Sequence, residues 1–496
     1  MTQVDKLFFR SWAEFETYLE DLGLFRMQPG LERMKVVLER LNLKRPPYLL
    51  TQGVGTNGKG STCSFLASLA RSHGFTCGLH TSPHFLSVRE RIRLFRSPDS
   101  ELMTAPNAAH RGGELFSEAD WLAAANEILN HGGEILTYFE LITCLAALLF
   151  KKAGVDLAVM ESGLGGSFDA TSAFEADLVF FTPIAMDHAG ILGPTLSDIA
   201  RDKAGAIRPG VAAFSARQVP PVTLELQNMA EQRGAELIFC AACHELPKPD
   251  FQLGLAGQHQ YGNAGLALLV WRELYRRLQA NSINSDKFNP IEITLNKREA
   301  HGLAQAWLPG RLQMVDGEVC GVAVQSGATA PGLSGATAPG HPPLIPGGVL
   351  KHPPLILDGA HNAHGMSALG HSLALLGIAP AVTIFSCLAD KEPEKIIPHL
   401  RILSPGLILV PELPDQPRAM PAKELAALVG RPARAVANLA EAIEIAGASM
   451  TERLPEIAGQ SIQECRYPLL ICGSLYLLAE FYKLYPHCLL GGAVTR

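Results

Sequence analysis

The chain has 496 residues, 47% of them hydrophobic and 18% charged, with a formal net charge of −6. That length favours two or three domains over a single core, and with no basic block above a mixed-sign background, nucleic acid and acidic membranes are not expected partners. The first thirty residues mix acids, bases and aromatics without the apolar centre of a signal peptide, and no later apolar run reaches the roughly 18 residues that span a bilayer, so a cytoplasmic protein is expected.

In chain order, residues 48 to 215 alternate short apolar runs with longer helical patterns, as a parallel sheet covered by helices requires. The expected strands are Tyr48–Gln52, Thr76–Thr81, Leu157–Met160, Leu178–Thr182 and Val211–Phe214. Between them "STCSFLASLARSHG" and "FELITCLAALLFKKAG" read as helices, each closing on a glycine that can take the left-handed cap conformation. Cys240-Ala-Ala-Cys243-His244 matches the haem-attachment pattern, but that chemistry needs export and no export signal is present; a zinc site lacks a second close Cys or His pair. The ten cysteines form no disulfide framework and are expected as buried thiols. A second alternating block after residue 300 places strands near "LILDGAH", "AVTIFSC", "GLILVPE" and "LLICGSL". Two domains are therefore expected, 1–302 and a smaller 303–496. Residues 316–354 hold an eight-residue unit used twice, "SGATAPGL" and "SGATAPGH", and read as a flexible surface insertion.

Between the first expected strand and helix lies "GVGTNGKGST". It fits the phosphate-loop pattern G-x-x-x-x-G-K-[ST] through Gly53, Gly58 and Lys59, but Gly60 stands where a hydroxyl should follow the lysine, and Ser61 and Thr62 come one residue late. A strand, a glycine-rich turn and a helix start cradle phosphate oxygens with backbone N–H groups, and Lys59 adds a point charge for the β and γ phosphates. Further on, "LAVMESGLGG" ends an apolar strand in Glu161, a carboxylate able to hold Mg2+ at the carboxyl edge of a sheet. Taken alone, such a Glu is more often a solvated turn residue. The next strand runs into Asp187 and His188, so two strands deliver polar side chains to one edge.

Several separated motifs then agree. "GTNGKGST", "TSPHFLSVRERI", "LTYFE", "ESGLGGSFDAT", "MDHAGILGPTLSDIARDKAGAI", "GQHQYGNAGLAL", "LPGRLQ", "LDGAHNAHG" and "CGSLYLLAEF" resemble, in this order, those of the folylpolyglutamate synthase/dihydrofolate synthase family of Mur ligases. The resemblance implies a P-loop parallel-sheet ATPase domain followed by a smaller Rossmann-like α/β domain. It implies that Gly58, Lys59, Gly60, Ser61, Asn263, Arg311 and Asp358 bind ATP, and that Ser82, Glu161 and His188 hold magnesium. Lys203 matches the family's carbamylated lysine; CO2 turns an ammonium into an anion that can lie beside Mg2+. Lys59, His188 and Lys203 are the implied catalytic residues.

Thr137, Tyr138, Phe139, Glu140, Phe168, Asp169 and Ala170 fall on the family's pterin-contact segments, with Phe139 the natural stacking partner for a flat ring. The chain departs from the family's usual "GLGGRLDATN" at Ser167 and Ser172, losing an arginine and an asparagine. The implied reaction joins L-glutamate to dihydropteroate or a reduced folate in an ATP-dependent step, by a monomer. The alternatives are another Mur-type ligase, for which about fifty residues ahead of Gly53 leave too little room for a UDP-sugar domain, or a P-loop nucleotidase that forges no bond.

Overall fold

Short runs rich in Val, Leu, Ile and Phe become buried parallel strands because helices cover both faces of their sheet. The computed structural model describes residues 8–23, 28, 30–97, 111–240, 252–279, 295–315, 355–457 and 468–490. The repeat-bearing stretch 316–354 and the pair Cys243 and His244 lie outside these described residues. Among the described residues two units separate: one takes residues up to Gly254 together with Tyr261–Trp307, the other Leu255–Gln260 and the chain from Leu308.

The first unit is built on an eight-stranded sheet of β1 (Leu49–Val54), β2 (Cys77–His80), β3 (Ile92–Phe95), β4 (Glu114–Leu115), β5 (Leu157–Glu161), β6 (Leu178–Phe181), β7 (Ala212–Ser215) and β8 (Leu237–Phe239). Its order is β4-β3-β2-β5-β1-β6-β7-β8. All five strands expected from the sequence are present, and they pair in parallel; β3 and β4 add an antiparallel edge. β3 escapes a reading by apolar runs because Arg93 interrupts it, and β4 and β8 are too short to show a period. β1 lies between β5 and β6, in register with Gly53 opposite Glu161, so the ends of three strands converge at one edge.

The helix Lys59–Ser72 is buried from Gly60 through Ala70. Its many Ser, Ala and Gly residues let it lie between the sheet and the helix Lys297–Gln305, where Ser68 Oγ donates to Gly302 O at 2.6 Å. The helix Tyr138–Ala153 stops, as expected, at a glycine, Gly154, at φ 63°. Helices of residues 12–40 and 118–153 pack one apolar core on Trp121, Phe150 and Phe174; another gathers Phe181, Ile199 and Val222.

The second unit holds a six-stranded sheet of β9 (Gln313–Val315), β10 (Leu355–Asp358), β11 (Val382–Phe385), β12 (Leu407–Pro411), β13 (Ala433–Val436) and β14 (Leu469–Cys472), in the order β13-β12-β11-β14-β10-β9. The four strands read from the sequence are β10, β11, β12 and β14, and only β9 runs antiparallel. β13, "ARAV", is a half-exposed edge strand with no apolar run to announce it. Among the described residues no helix is long and apolar enough to cross a membrane.

Candidate active site at the carboxyl edge of the ATPase sheet

The phosphate loop takes its shape from its glycines and from the neighbouring strand. Gly55 has φ 152° and Gly58 φ 84°, conformations that L side chains rarely adopt, and the helix begins at Lys59. Thr56 and Asn57 donate their backbone N–H groups to Pro183 O at 3.1 and 3.2 Å, and Thr56 Oγ1 donates to Ala185 O at 3.1 Å, so the loop is pinned to the end of β6. A side chain at Gly58 would run into the amide of Asn263, with the Asn263 Cγ at 3.0 Å from its Cβ. Gly58, Gly60, Ser61 and Asn263, all sequence candidates for ATP, therefore meet at one helix start. The delayed hydroxyl is no defect of the loop, since Ser61 lies in the first turn of that helix.

Two lysines converge on a single carbonyl. Lys59 Nζ donates to Gly55 O at 3.2 Å and to Thr56 O at 3.3 Å, while Lys203 Nζ donates to the same Gly55 O at 2.9 Å. Lys203 is 5% exposed, and burial first, then the positive charge of Lys59, lowers its pKa to about 7. At neutral pH a substantial fraction of this amine is therefore neutral.

Glu161, 4% exposed at the end of β5, accepts the Ser82 N–H on Oε2 at 3.0 Å. Two of the three candidate magnesium ligands are thus adjacent. His188 follows β6, on the other side of β1, at φ 55°; its own N–H bonds Asp187 Oδ1 at 2.9 Å, and its ring Nε2 lies 3.8 Å from that oxygen. Among the described residues no three His, Cys, Asp or Glu side chains cluster closely enough to hold a metal by themselves. The donor set still fits a hard divalent cation, because a buried carboxylate and a serine on its neighbouring N–H offer oxygen ligands and phosphate oxygens can supply the remainder.

The acceptor-segment candidates divide into presented and committed residues. Phe139 is partly buried, its ring 5.7 Å from that of His80 and 2.6 Å from where a Cβ on Gly163 would stand. Phe168 is 66% exposed. Thr137 and Glu140, by contrast, cap a helix: Glu140 Oε2 accepts Thr137 N–H at 2.8 Å and its hydroxyl at 2.9 Å, and Oε1 pairs with Arg33 at 3.0 Å. Tyr138 is buried with the Arg91 guanidinium 5.6 Å above its ring. Asp169 organises its own loop, accepting from Leu164 N at 2.9 Å and from Thr171 N at 3.0 Å and Oγ1 at 2.5 Å, and burial raises its pKa. Ala170 is buried beside it.

Residues that the motif reading passed over hold these segments. Gln52 Nε2 donates to Thr171 Oγ1 and Ser172 Oγ, both at 2.8 Å, tying the loop after β5 to β1. Arg91 Nε donates to His84 Nδ1 at 2.8 Å, and burial followed by that cation depresses the His84 pKa to about 3, so this imidazole stays neutral. Asp202, next to Lys203, accepts from Gly166 and Ser167. No spacing rule marks these partners, because each bond spans seven to 120 residues.

In the second unit, Asp358 ends β10 and accepts Leu312 N and Ala360 N at 2.8 Å each, while Arg311 Nη1 donates to Gly310 O at 3.0 Å. His259 leans on Ser372 Oγ at 3.2 Å, its pKa lowered by burial.

A phosphate loop with an acidic neighbour on a parallel sheet, followed by a second α/β sheet, fits an ATP-dependent ligase of the Mur type. Residues 347–453 match the family described as Mur ligase, glutamate ligase domain. Dihydrofolate synthase/folylpolyglutamate synthase of Bacillus subtilis is 27% identical over 505 residues, covering 96% of this chain and 99% of that protein. Escherichia coli FolC in complex with DHPP and ADP has a TM-score of 0.71 at 25% identity, over 96% of this chain and 98% of that one. A bifunctional folylpolyglutamate synthase/dihydrofolate synthase with Mn, AMPPNP and L-glutamate bound has a TM-score of 0.70 at 27% identity, over 96% and 99%. The chain belongs to the folylpolyglutamate synthase/dihydrofolate synthase family.

Proposed function

We propose that this protein uses ATP to join the amine of L-glutamate to the carboxylate of dihydropteroate, of a reduced folate, or of both, acting as a cytoplasmic monomer. The observation that carries the reading is the convergence of Lys59 and Lys203 on Gly55 O beside a phosphate loop, within a chain similar to these ligases over 96% of its length.

A carboxylate is a poor electrophile, so its oxygen first attacks the γ-phosphorus of ATP, releasing ADP and leaving an acyl phosphate. The glutamate amine then attacks the acyl carbon, a proton is lost, and inorganic phosphate departs as the amide forms. Positioning and charge neutralisation dominate the first step. The N–H groups of Gly58, Gly60 and Ser61 hold phosphate oxygens, Lys59 swings from its backbone carbonyls to the transferred group, and His188 faces the same edge. Asn263 fixes the loop from the side, and Arg311 and Asp358 are proposed as further ATP-binding residues. Glu161, Ser82 and His188 would hold magnesium, which when bound neutralises charge on the β and γ phosphates. Phe139 and Phe168 provide apolar faces for the pterin, with Thr137, Tyr138, Glu140, Asp169 and Ala170 shaping the walls around them.

We also assign a carbamate to Lys203. Its neutral amine attacks CO2 and loses one proton, and the resulting anion replaces a like-charge approach to Lys59 with an attractive one. The two-lysine geometry supports this, because two protonated ammoniums sharing one carbonyl repel each other in a buried setting.

The test is ADP release by purified protein with Mg-ATP, with and without L-glutamate, on dihydropteroate and on a reduced folate, with products followed by mass. Glutamate-dependent turnover is expected, and the acceptor pattern tells whether both reactions are present. ATP hydrolysis indifferent to glutamate and both acceptors would point instead to a nucleotidase.

A further inference from the structure

Ser167 and Ser172, in the loop after β5, are both built into one seam. Ser167 donates its N–H and its Oγ to Asp202 O at 3.0 and 2.8 Å, and Gly166 N donates to Asp202 Oδ2 at 3.0 Å. Ser172 Oγ donates to Gly166 O at 2.5 Å and accepts from Gln52, while Arg208 Nη2 donates to Ser172 O at 2.6 Å. The loop is thus clamped from β1 on one side and from the helix Leu196–Ala204 on the other. The seam has no spare room. A Cβ at Gly166 would lie 2.7 Å from Lys203 Cα, and one at Gly205 would overlap Ser167 Oγ.

From the Ser167 and Asp202 contacts, we propose that these two are positioning residues, a latch that holds the acceptor loop on the helix carrying Lys203 and so fixes Phe168, the exposed residue next to the latch, for the acceptor. The inference rests on the ligase reading given above. A continuous run of bonds supports it: Ser167 is held by Asp202, Lys203 follows Asp202 in the chain, and Lys203 Nζ reaches Gly55 O of the phosphate loop. The loop that meets the acceptor and the loop that meets the phosphates therefore share one rigid support. Ser167 Oγ occupies the space directly over Gly205, so its bond to Asp202 O closes the seam there.

Three variants of the full chain test the latch by different physical means. Ser167→Ala deletes one hydrogen bond and should raise the acceptor KM roughly three- to tenfold, with the ATP KM unchanged. Gly205→Ala unseats Ser167 by overlap, although the backbone at Gly205, φ −59° and ψ −14°, accepts alanine, and should raise the acceptor KM further. Asp202→Ala should act in the same direction, and Asp202→Asn, whose amide oxygen still accepts from Gly166, should restore most of the loss. Acceptor KM within about twofold of wild type in both Ser167→Ala and Gly205→Ala overturns the latch. Acceptor and ATP KM rising together with no rescue by Asn also overturns it, by showing a general structural role. Amide exchange at Gly166 and Ser167 gives a readout independent of catalysis: slow exchange in wild type and fast exchange in Gly205→Ala is expected, and fast exchange in wild type overturns the proposal. Absence of glutamate-dependent turnover in wild type would instead strike the ligase reading, leaving the exchange result to judge the latch.

Discussion

The phosphate loop and the acceptor segments border the same sheet edge, yet they are specified in opposite ways. In the loop, the working groups are backbone N–H groups and a lysine within eight consecutive residues, and their geometry follows from a strand, two left-handed glycines and a helix start. In the acceptor segments, equally motif-like residues have most of their polar atoms engaged by distant partners: Glu140 by Arg33, Ser172 by Gln52, Ser167 by Asp202. A contiguous motif can build an anion site alone because the peptide backbone supplies the ligands. A side-chain pocket needs partners that only folding delivers.

That contrast predicts catalytic losses in the loop and mixed losses elsewhere. Lys59→Ala should lower turnover 10²- to 10³-fold, since one preorganised charge on the transferring group is removed; steady-state ADP release with saturating glutamate measures it, and near-normal turnover would break the assignment. Lys203→Met should follow, with a loss of tenfold or more and no response to added bicarbonate, whereas wild type depleted of CO2 should regain activity when bicarbonate is returned.

The same lysine carries a pH signature. Its folded pKa of about 7 lies below the ordinary 10.5, so between those values the unfolded chain binds more protons than the folded one. Stability of the uncarbamylated protein should therefore rise as pH climbs through that window and be lowest below it. Thermal melts of wild type and Lys203→Met in CO2-free buffer check this, and identical pH slopes in the two would contradict the burial of a titrating Lys203.

Phe168→Ala should raise the acceptor KM about tenfold with an unchanged melting temperature, because the ring is exposed and contributes little to the core. Thr137→Ala should do the reverse, costing about 1 kcal/mol of stability through the lost helix cap and leaving turnover nearly intact. A loss of turnover in Thr137→Ala without a loss of stability would move Thr137 from the walls of the site to its contacts, and would soften the distinction drawn here.

Much of this was legible before folding. Apolar runs of four to six residues separated by helical periods marked nine of the fourteen strands among the described residues, and the glycines of "GTNGKGS" announced the phosphate loop; both signals are local, carried by backbone sterics and hydrophobic period. The edge strands β4, β8 and β13 were not, since half-buried or very short strands carry no apolar run, and β3 was hidden by Arg93. Glu161 and Ser82 could be named from their motifs, but their adjacency depends on β5 and β2 pairing across some eighty residues. The tertiary structure alone decided which acceptor-segment residues stay presented, that Lys203 shares Gly55 O with Lys59, and that Ser167 and Ser172 are bonded to Asp202 and Gln52 in one seam. The physical reason is one of range. Helix starts, tight turns and buried strands answer to neighbours within a few residues, whereas burial, charge repulsion and hydrogen-bond partnership answer to whatever the fold brings within 3 Å.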